Sequence, residues 1–283
     1  MNARSALFDV YGDHLRPRGG QAPIAALVRL LTPLEVAAPA VRTAVSRMVR
    51  QGWLEPVRLA GSPGYRLTPR AVRRLDDAAA RIYRTSTQAW DGTWHLLVHA
   101  PVTERARRDR LRAGLVFLGY APLADTTWVA ARASAELDAL LAAEQVRAER
   151  FTACHDGDTA ALVRAAWDLD AIGRSYDRWL GETRELTSSI GPGSADVRAY
   201  ALRSRLVHEW RKFLFTDPGL PRQLLPPDWP GERAAAFFDA EAARLRPGAS
   251  RYVEACLHPN GEAGLPSRRQ HRCSTRSRTA SPR

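Results

Sequence analysis

Val41, Ala44, Val45 and Met48 recur at the spacing of one helical face. The pattern predicts a helix with an apolar back, stopped by Gly52 where a left-handed cap is favoured. At about 100° per residue, Thr43, Ser46, Arg47 and Arg50 fall on the opposite side, with Arg42 at its edge. That outer face carries hydroxyl and guanidinium groups and no carboxylate. Two readings fit it equally: a solvated helix, or one that enters a DNA major groove, where arginine pairs with guanine O6 and N7. The next residues bear on the choice. Residues 53–59 and 65–68 are short alternating runs on either side of Ala60-Gly61-Ser62-Pro63-Gly64, the pattern of a hairpin with Arg58 and Arg66 near its tip. Helix then hairpin is the layout of a winged helix-turn-helix, whose wing lies along backbone or minor groove.

Two further helices are predicted upstream. Ser5–His14 places Ala6, Leu7, Val10 and His14 inward, and Tyr11 and His14 are assigned to core packing rather than to a site. Arg16-Pro17-Arg18-Gly19-Gly20 ends this helix as a basic loop, from which Arg16 and Arg18 could clamp phosphates. Pro23 opens the second helix, with Ile24, Leu27, Val28 and Leu31 as its stripe, and Thr32-Pro33-Leu34 breaks it. A helix over Pro69–Tyr83 follows, then a linker at Thr85–Gln88.

From Trp90 the pattern changes. Strands are expected at 90–101, 119–123, 126–130 and 149–154, with helices at 103–118 and 134–148. This β-α-β-β-α-β order is that of a ferredoxin-like domain. Beyond Thr159 the periodicity is helical: 159–180, an interruption at Gly191-Pro192-Gly193-Ser194, then 195–213, 234–245 and an extension through 249–258. Leu224, Leu225 and Trp229, in the proline-rich stretch 217–231, must pack somewhere. The chain thus reads as an α+β multidomain protein: a winged helix-turn-helix over 1–85, a ferredoxin-like domain over 88–157, a helical C-terminal domain over 158–260 and a disordered basic tail over 261–283.

Charge sharpens this division. The net charge is +12, yet residues 1–85 hold 14 arginines against six acidic residues, and residues 261–283 hold six against Glu262 alone. The positive field sits at the two ends, which points to a polyanion partner for the N-terminal part. Lys212 is the sole lysine, so arginine richness in itself counts for less. Cys154, Cys256 and Cys273 are far apart and form no CxxC pair, which argues against a disulfide framework or a metal site and fits a reducing cytoplasm. No apolar run reaches the length of a membrane span.

Three stretches resemble the PaaX family of bacterial transcriptional repressors. They are Leu7–Gly20, with its Tyr-Gly-Asp and Arg-Pro-Arg-Gly-Gly; Ala40–Leu54, with Val-Arg-Thr-Ala-Val-Ser-Arg-Met; and Leu206–Gly231, with His208-Glu209-Trp210-Arg211, Asp217-Pro218-Gly219-Leu220-Pro221 and Asp228-Trp229-Pro230-Gly231. The resemblance spans roughly residues 5–258. It implies a central domain similar to small CRISPR-associated nucleases but not expected to cut, in keeping with the absence of a carboxylate at His99. It also implies a homodimer that binds palindromic operators in double-stranded DNA and releases them when an aryl-CoA thioester such as phenylacetyl-CoA binds. No cofactor or metal is implied.

The DNA-facing candidates are therefore Arg42, Thr43, Ser46, Arg47 and Arg50, with Arg58 and Arg66 on the wing and Arg16 and Arg18 beside the helix. For an effector that carries phosphates and an apolar acyl end, the C-terminal set Arg174, Arg178, Trp179, His208, Trp210, Arg211 and Lys212 offers both kinds of surface. Surface charges and core tryptophans describe the same set equally well. Two rivals stay open: an enzyme acting on nucleic acid or CoA esters, and a module that docks on protein rather than DNA. No Gly-x-Ser-x-Gly elbow, phosphate loop or metal-spaced cluster supports the enzyme.

Overall fold

Helix α1 (Ala3–Asp9) starts on Asn2, whose side chain accepts from the Ser5 amide at 2.8 Å. The computed structural model that shows this describes residues 1–82, 89–188 and 195–258. The expected linker at 85–88, the interruption at 191–194 and the tail at 261–283 lie outside the described residues, as does Cys273.

The first helix is not regular to His14 as its apolar pattern predicts. It passes into a π-helical turn at Val10–Leu15. That wider turn carries Asp13 and His14 toward Arg203 and Ser204, nearly two hundred residues away. Strand β1 (Gln21–Pro23), α2 (Ile24–Leu31) and α3 (Ala38–Arg50) follow, then β2 (Leu54–Leu59), β3 (Ser62–Leu67) and α4 (Pro69–Ile82). The three strands form an antiparallel sheet in the order β1-β3-β2. Three helices close over it around Leu7, Leu27, Leu31, Val41, Val45 and Met48.

The hairpin is tighter than its sequence suggests. Ala60 and Gly61, both at positive φ (46° and 80°), form a two-residue turn, so Ser62, Pro63 and Gly64 belong to β3. This register pairs Arg58 with Pro63 beside the tip and moves Arg66 to the base, opposite Glu55.

The central unit has the predicted order: β4 (Trp94–His99), α5 (Arg105–Phe117), β5 (Ala121–Ala124), β6 (Thr127–Ala130), α6 (Leu137–Ala143) and β7 (Ala148–Ala153). The strands lie β5-β6-β4-β7, all antiparallel, the arrangement of a ferredoxin-like sheet. Two boundaries move for local reasons. Residues 90–93 form a turn in which Asp91 accepts from both Thr93 groups, so β4 begins at Trp94. Helix α6 ends early because Gln145 takes a left-handed backbone, φ 52°. His99 is a satisfied core residue, with Nδ1 2.8 Å from the Ala100 carbonyl and Nε2 accepting from Trp128 Nε1 at 3.2 Å.

The rest is helical: α7 (Thr159–Ala166), α8 (Leu169–Ser188), α9 (Asp196–Trp210) and α10 (Pro230–Leu257). The last is one 28-residue helix with Pro247 inside it, so the expected extension through 249–258 continues the helix at 234–245. Burial of Ala242, Leu245, Ala249 and Val253 along one stripe carries it through the missing N–H. Leu224 and Leu225 pack at the edge of the C-terminal core, and Trp229 lies inside it.

The units are not beads on a string. Tyr200, Ala249, Val253 and Cys256 of α9 and α10 belong to the same core as α1 to α3, and Trp94 of the central sheet stacks on Trp167 at 6.1 Å. The central and C-terminal units also meet where Gly119, at φ 87°, brings its Cα against the Pro218 carbonyl. A Cβ there would stand 2.7 Å from that oxygen. Gly119→Ala is therefore expected to destabilise the chain by about 1–3 kcal/mol, from a strained left-handed backbone and overpacking together. Urea unfolding measures it, and a shift below about half a kcal/mol would mean that the contact opens freely.

Candidate functional site

Helix α3 buries Val41, Ala44, Val45 and Met48 and exposes Arg42, Thr43, Ser46, Arg47 and Arg50, as the periodicity predicts. Pro39 sits in its first turn, and Gly52 (φ 70°) redirects the chain into β2. Among the described residues, Arg42, Arg47 and Arg50 have no ion-pair or hydrogen-bond partner for their side chains. The helix contains no acidic residue.

The other expected DNA-facing arginines are placed differently. Arg58 lies beside the hairpin tip, exposed, with only a long contact (3.4 Å) to the Gly61 carbonyl. Arg66 is bonded to Glu55 at 2.6 and 2.9 Å. Arg16 is paired with Asp76 of α4 at 2.5 Å, and Arg18 with Glu254 of α10 at 2.6 Å. These three guanidinium groups therefore brace the fold, and a phosphate would have to compete with their carboxylates. Arg70, not among the sequence candidates, lies over the Trp53 ring at 4.8 Å, just beyond α3. Its neighbour Arg73 is exposed and without a partner among the described residues. Their i, i+3 spacing was the available signal.

The seven residues expected to hold an effector do not form one surface. Trp179 and Trp210 are buried in the C-terminal core, and Arg174 and Arg178 are exposed on α8. Lys212 pairs with Glu209 at 2.5 Å. His208 and Arg211 both reach Asp9 of α1, each at 2.7 Å, and Arg211 also donates to Ser5. One turn and a half earlier, Arg203 forms a bidentate pair with Asp13 at 2.6 and 2.8 Å, buried on both sides. Its remaining nitrogen donates to the Ala242 carbonyl of α10. Tyr200 and Tyr252 donate to the carbonyls of Leu30 and Arg29 of α2. The N-terminal unit is thus fixed to α9 and α10 through polar contacts of long sequence separation.

Burial sets the acid–base behaviour of this junction. It pushes the Asp9 carboxyl up, against the pull of His208 and Arg211, and lowers His14 to about 4. For His14 the unfolded chain takes up a proton near pH 6.5 that the folded chain refuses. Its contribution is therefore complete above pH 6.5 and is lost as pH falls toward 4, roughly 3 kcal/mol in all. Asp9 acts with the opposite sign, so the comparison that isolates His14 is with His14→Gln. That variant is expected to flatten the acid limb of stability between pH 6.5 and 4, and parallel limbs would contradict the assignment.

A cavity of about 920 Å³ lies between the central and C-terminal units. Tyr176, Trp210, Phe213 and Trp229 form its aromatic wall, the Asp217–Arg222 loop its side, and residues 130–136 the face toward the central sheet. Tyr176 stacks on Phe213 with centroids 4.0 Å apart and donates to Asp217 at 2.5 Å. Asp217 in turn accepts from the Gly219 amide at 2.7 Å, which shapes the loop. Of the seven effector candidates, Trp210 alone lines this cavity. Among the described residues, no three His, Cys, Asp or Glu side chains gather as metal ligands would, and no helix is long and apolar enough to cross a membrane.

A mixed chain with a Cas2-like central sheet and a helical C-terminal part defines a recognisable class. Residues 2–71, 87–162 and 167–255 match, in order, the family models described as PaaX-like protein, PaaX protein central Cas2-like domain and PaaX-like protein C-terminal domain; the chain belongs to this PaaX-like family. It is similar to the transcriptional repressor PaaX of Escherichia coli (strain K12), with 28% identity over 264 residues, 89% of this chain and 83% of the relative. Among solved structures, an uncharacterized protein from Mycobacterium tuberculosis matches with a TM-score of 0.60 at 25% identity, over 90% of this chain and 98% of the other.

Proposed function

We propose that the chain is a transcriptional repressor whose N-terminal unit is a winged helix-turn-helix that reads double-stranded DNA and whose C-terminal units sense a small molecule. One observation carries the DNA-binding half: α3 presents three arginines and two hydroxyl residues outward, unpaired and without a carboxylate, while Arg16, Arg18 and Arg66 of the same unit are all ion-paired. An open guanidinium face on a helix backed by a hydrophobic core is what a major groove requires. Arg58 on the hairpin tip, with Arg70 and Arg73 behind α3, gives the phosphates their contacts. The repressor relative supports this reading over an enzyme.

The chain acts as a homodimer on a palindromic operator, with the half-site spacing set by the separation of its two α3 helices. The effector is an aryl- or acyl-CoA thioester, phenylacetyl-CoA being the first to try. The aromatic wall of the cavity between the central and C-terminal units suits the aryl end of such a ligand. The test is a mobility shift of the full chain on its own upstream DNA across a panel of aryl- and acyl-CoA esters. Release by one ester at micromolar concentration is the expected result. A complex that no ester disturbs removes the thioester from the account and leaves the DNA-binding half standing.

A further inference from the structure

Two segments that stand out in the sequence, the one around Tyr11-Gly12-Asp13 and the one around His208-Glu209-Trp210-Arg211, meet in the folded chain. Their meeting point joins the proposed cavity to the proposed DNA-reading helix. On the last turn of α9, His208 and Arg211 lie within about 60° of each other, while Trp210 is turned about 100–160° away from them. One side of this turn grips Asp9. The other places the Trp210 ring in the cavity wall, 5.7 Å from Tyr176, 5.4 Å from Phe213 and 4.8 Å from Phe238.

The gripped element leads directly to α3. Ala6, Leu7 and Val10, on either side of Asp9, share a core with Val41, Ala44, Val45 and Met48. Asp9 has a side chain only 3% exposed, so its carboxylate depends on His208 and Arg211 for the polar partners that water cannot supply. The Asp13–Arg203 pair, farther up α9 and also tied to α10, stays clear of the cavity lining and serves as the fixed point.

We propose that the contact of Asp9 with His208 and Arg211 is the latch that reports occupation of the cavity to α3. This rests on the reading of the cavity as the effector site and of α3 as the DNA-reading helix. A ligand that displaces Trp210 and Phe213 turns the end of α9, and Asp9 then loses one of its two partners. Helix α1 reseats and carries α3 with it. Arg211 is accordingly a positioning residue, not a ligand contact.

The test uses the full chain with phenylacetyl-CoA as probe and the chain's own upstream DNA. Asp9→Asn is expected to bind the probe with unchanged affinity by calorimetry, to hold DNA as wild type does, and to need about tenfold more probe for release. Coincident release curves would overturn the latch. Arg211→Gln, which removes a partner 24% exposed and keeps the carboxylate, breaks the contact without a ligand and guards against a folding defect in Asp9→Asn. It should weaken DNA binding by about tenfold before any probe is added; wild-type DNA affinity in Arg211→Gln would overturn the latch, and loss of probe affinity would instead make Arg211 a ligand contact.

An effector-independent arm separates failure of the latch from failure of the reading beneath it. Ala236 is exposed on α10 and lines the cavity, so Ala236→Trp puts an indole into it without a ligand. The latch predicts faster amide exchange over residues 3–15 in this variant, and in Ala236→Trp it predicts about tenfold weaker DNA binding that Asp9→Asn suppresses. If wild type ignores the probe, or binds no DNA, the functional reading fails while the exchange result still decides the latch. Unchanged exchange over 3–15 would overturn it.

Discussion

Replacing Arg203 with methionine is expected to destabilise the folded chain by about 3–5 kcal/mol. Both side chains of the Asp13–Arg203 pair are only 5% exposed, so the change takes the guanidinium from a carboxylate that water cannot reach and leaves it beside His14 Nε2 at 3.4 Å. It also leaves the Ala242 carbonyl, near Pro247 of α10, without its Arg203 donor. The penalty belongs to the stranded partner rather than to the worth of the pair, since burying two charges is itself costly. Asp13→Leu combined with Arg203→Met should therefore recover most of the loss, because the double variant presents apolar surface to an apolar junction. Denaturant unfolding of wild type, both single variants and the double closes the cycle. A loss below about 1 kcal/mol for Arg203→Met would show that the pair is solvated and that the N-terminal unit is held mainly by Tyr200, Val253 and the apolar core.

Arg47→Ala is expected to leave stability within about half a kcal/mol of wild type and to weaken operator binding by about 1–3 kcal/mol. The two effects separate because Arg47 is exposed and without a partner among the described residues, so the folded chain gives up nothing when it goes. A base contact and a phosphate contact lead to different patterns. If Arg47 reads a guanine, Arg47→Ala relaxes preference at one operator position; if it meets a phosphate, affinity falls on every sequence and the salt slope drops by about one. Arg66→Ala is the built-in control. Its guanidinium is already bonded to Glu55, so a phosphate contact would first have to displace that exposed pair. Equal losses for Arg47→Ala and Arg66→Ala would contradict the assignment of α3 as the reading helix.

What could be read in the sequence was whatever is encoded at helical or strand period. The α3 face was legible because burial and exposure both follow 3.6 residues per turn, and the order of the central sheet because its strands and helices alternate cleanly. The hairpin was legible, its exact turn was not: Ala60 adopts positive φ without being glycine or asparagine, and that moved Arg66 from tip to base. The segments of the junction between units stood out in the sequence, but nothing local showed that they pair. Asp9, Asp13, Arg203 and His208 each look like ordinary polar positions on amphipathic helices, and their partners lie some two hundred residues away. The same holds for Arg18, whose carboxylate is Glu254. The cavity was hidden for a related reason, since its walls come from residues 130–136 and from the loop at 217–222. The motif that singled out Asp217–Pro221 and Trp229 was visible, and only the fold shows that it surrounds a space.

Whether this chain reads DNA through α3 is decided by titrating the full chain against its own upstream duplex and a scrambled duplex over a range of salt. A strong preference for the upstream sequence is expected, with a log–log fall of affinity with salt whose slope reflects several neutralised phosphates. Equal binding to the two duplexes, or binding that salt leaves unchanged, would contradict it.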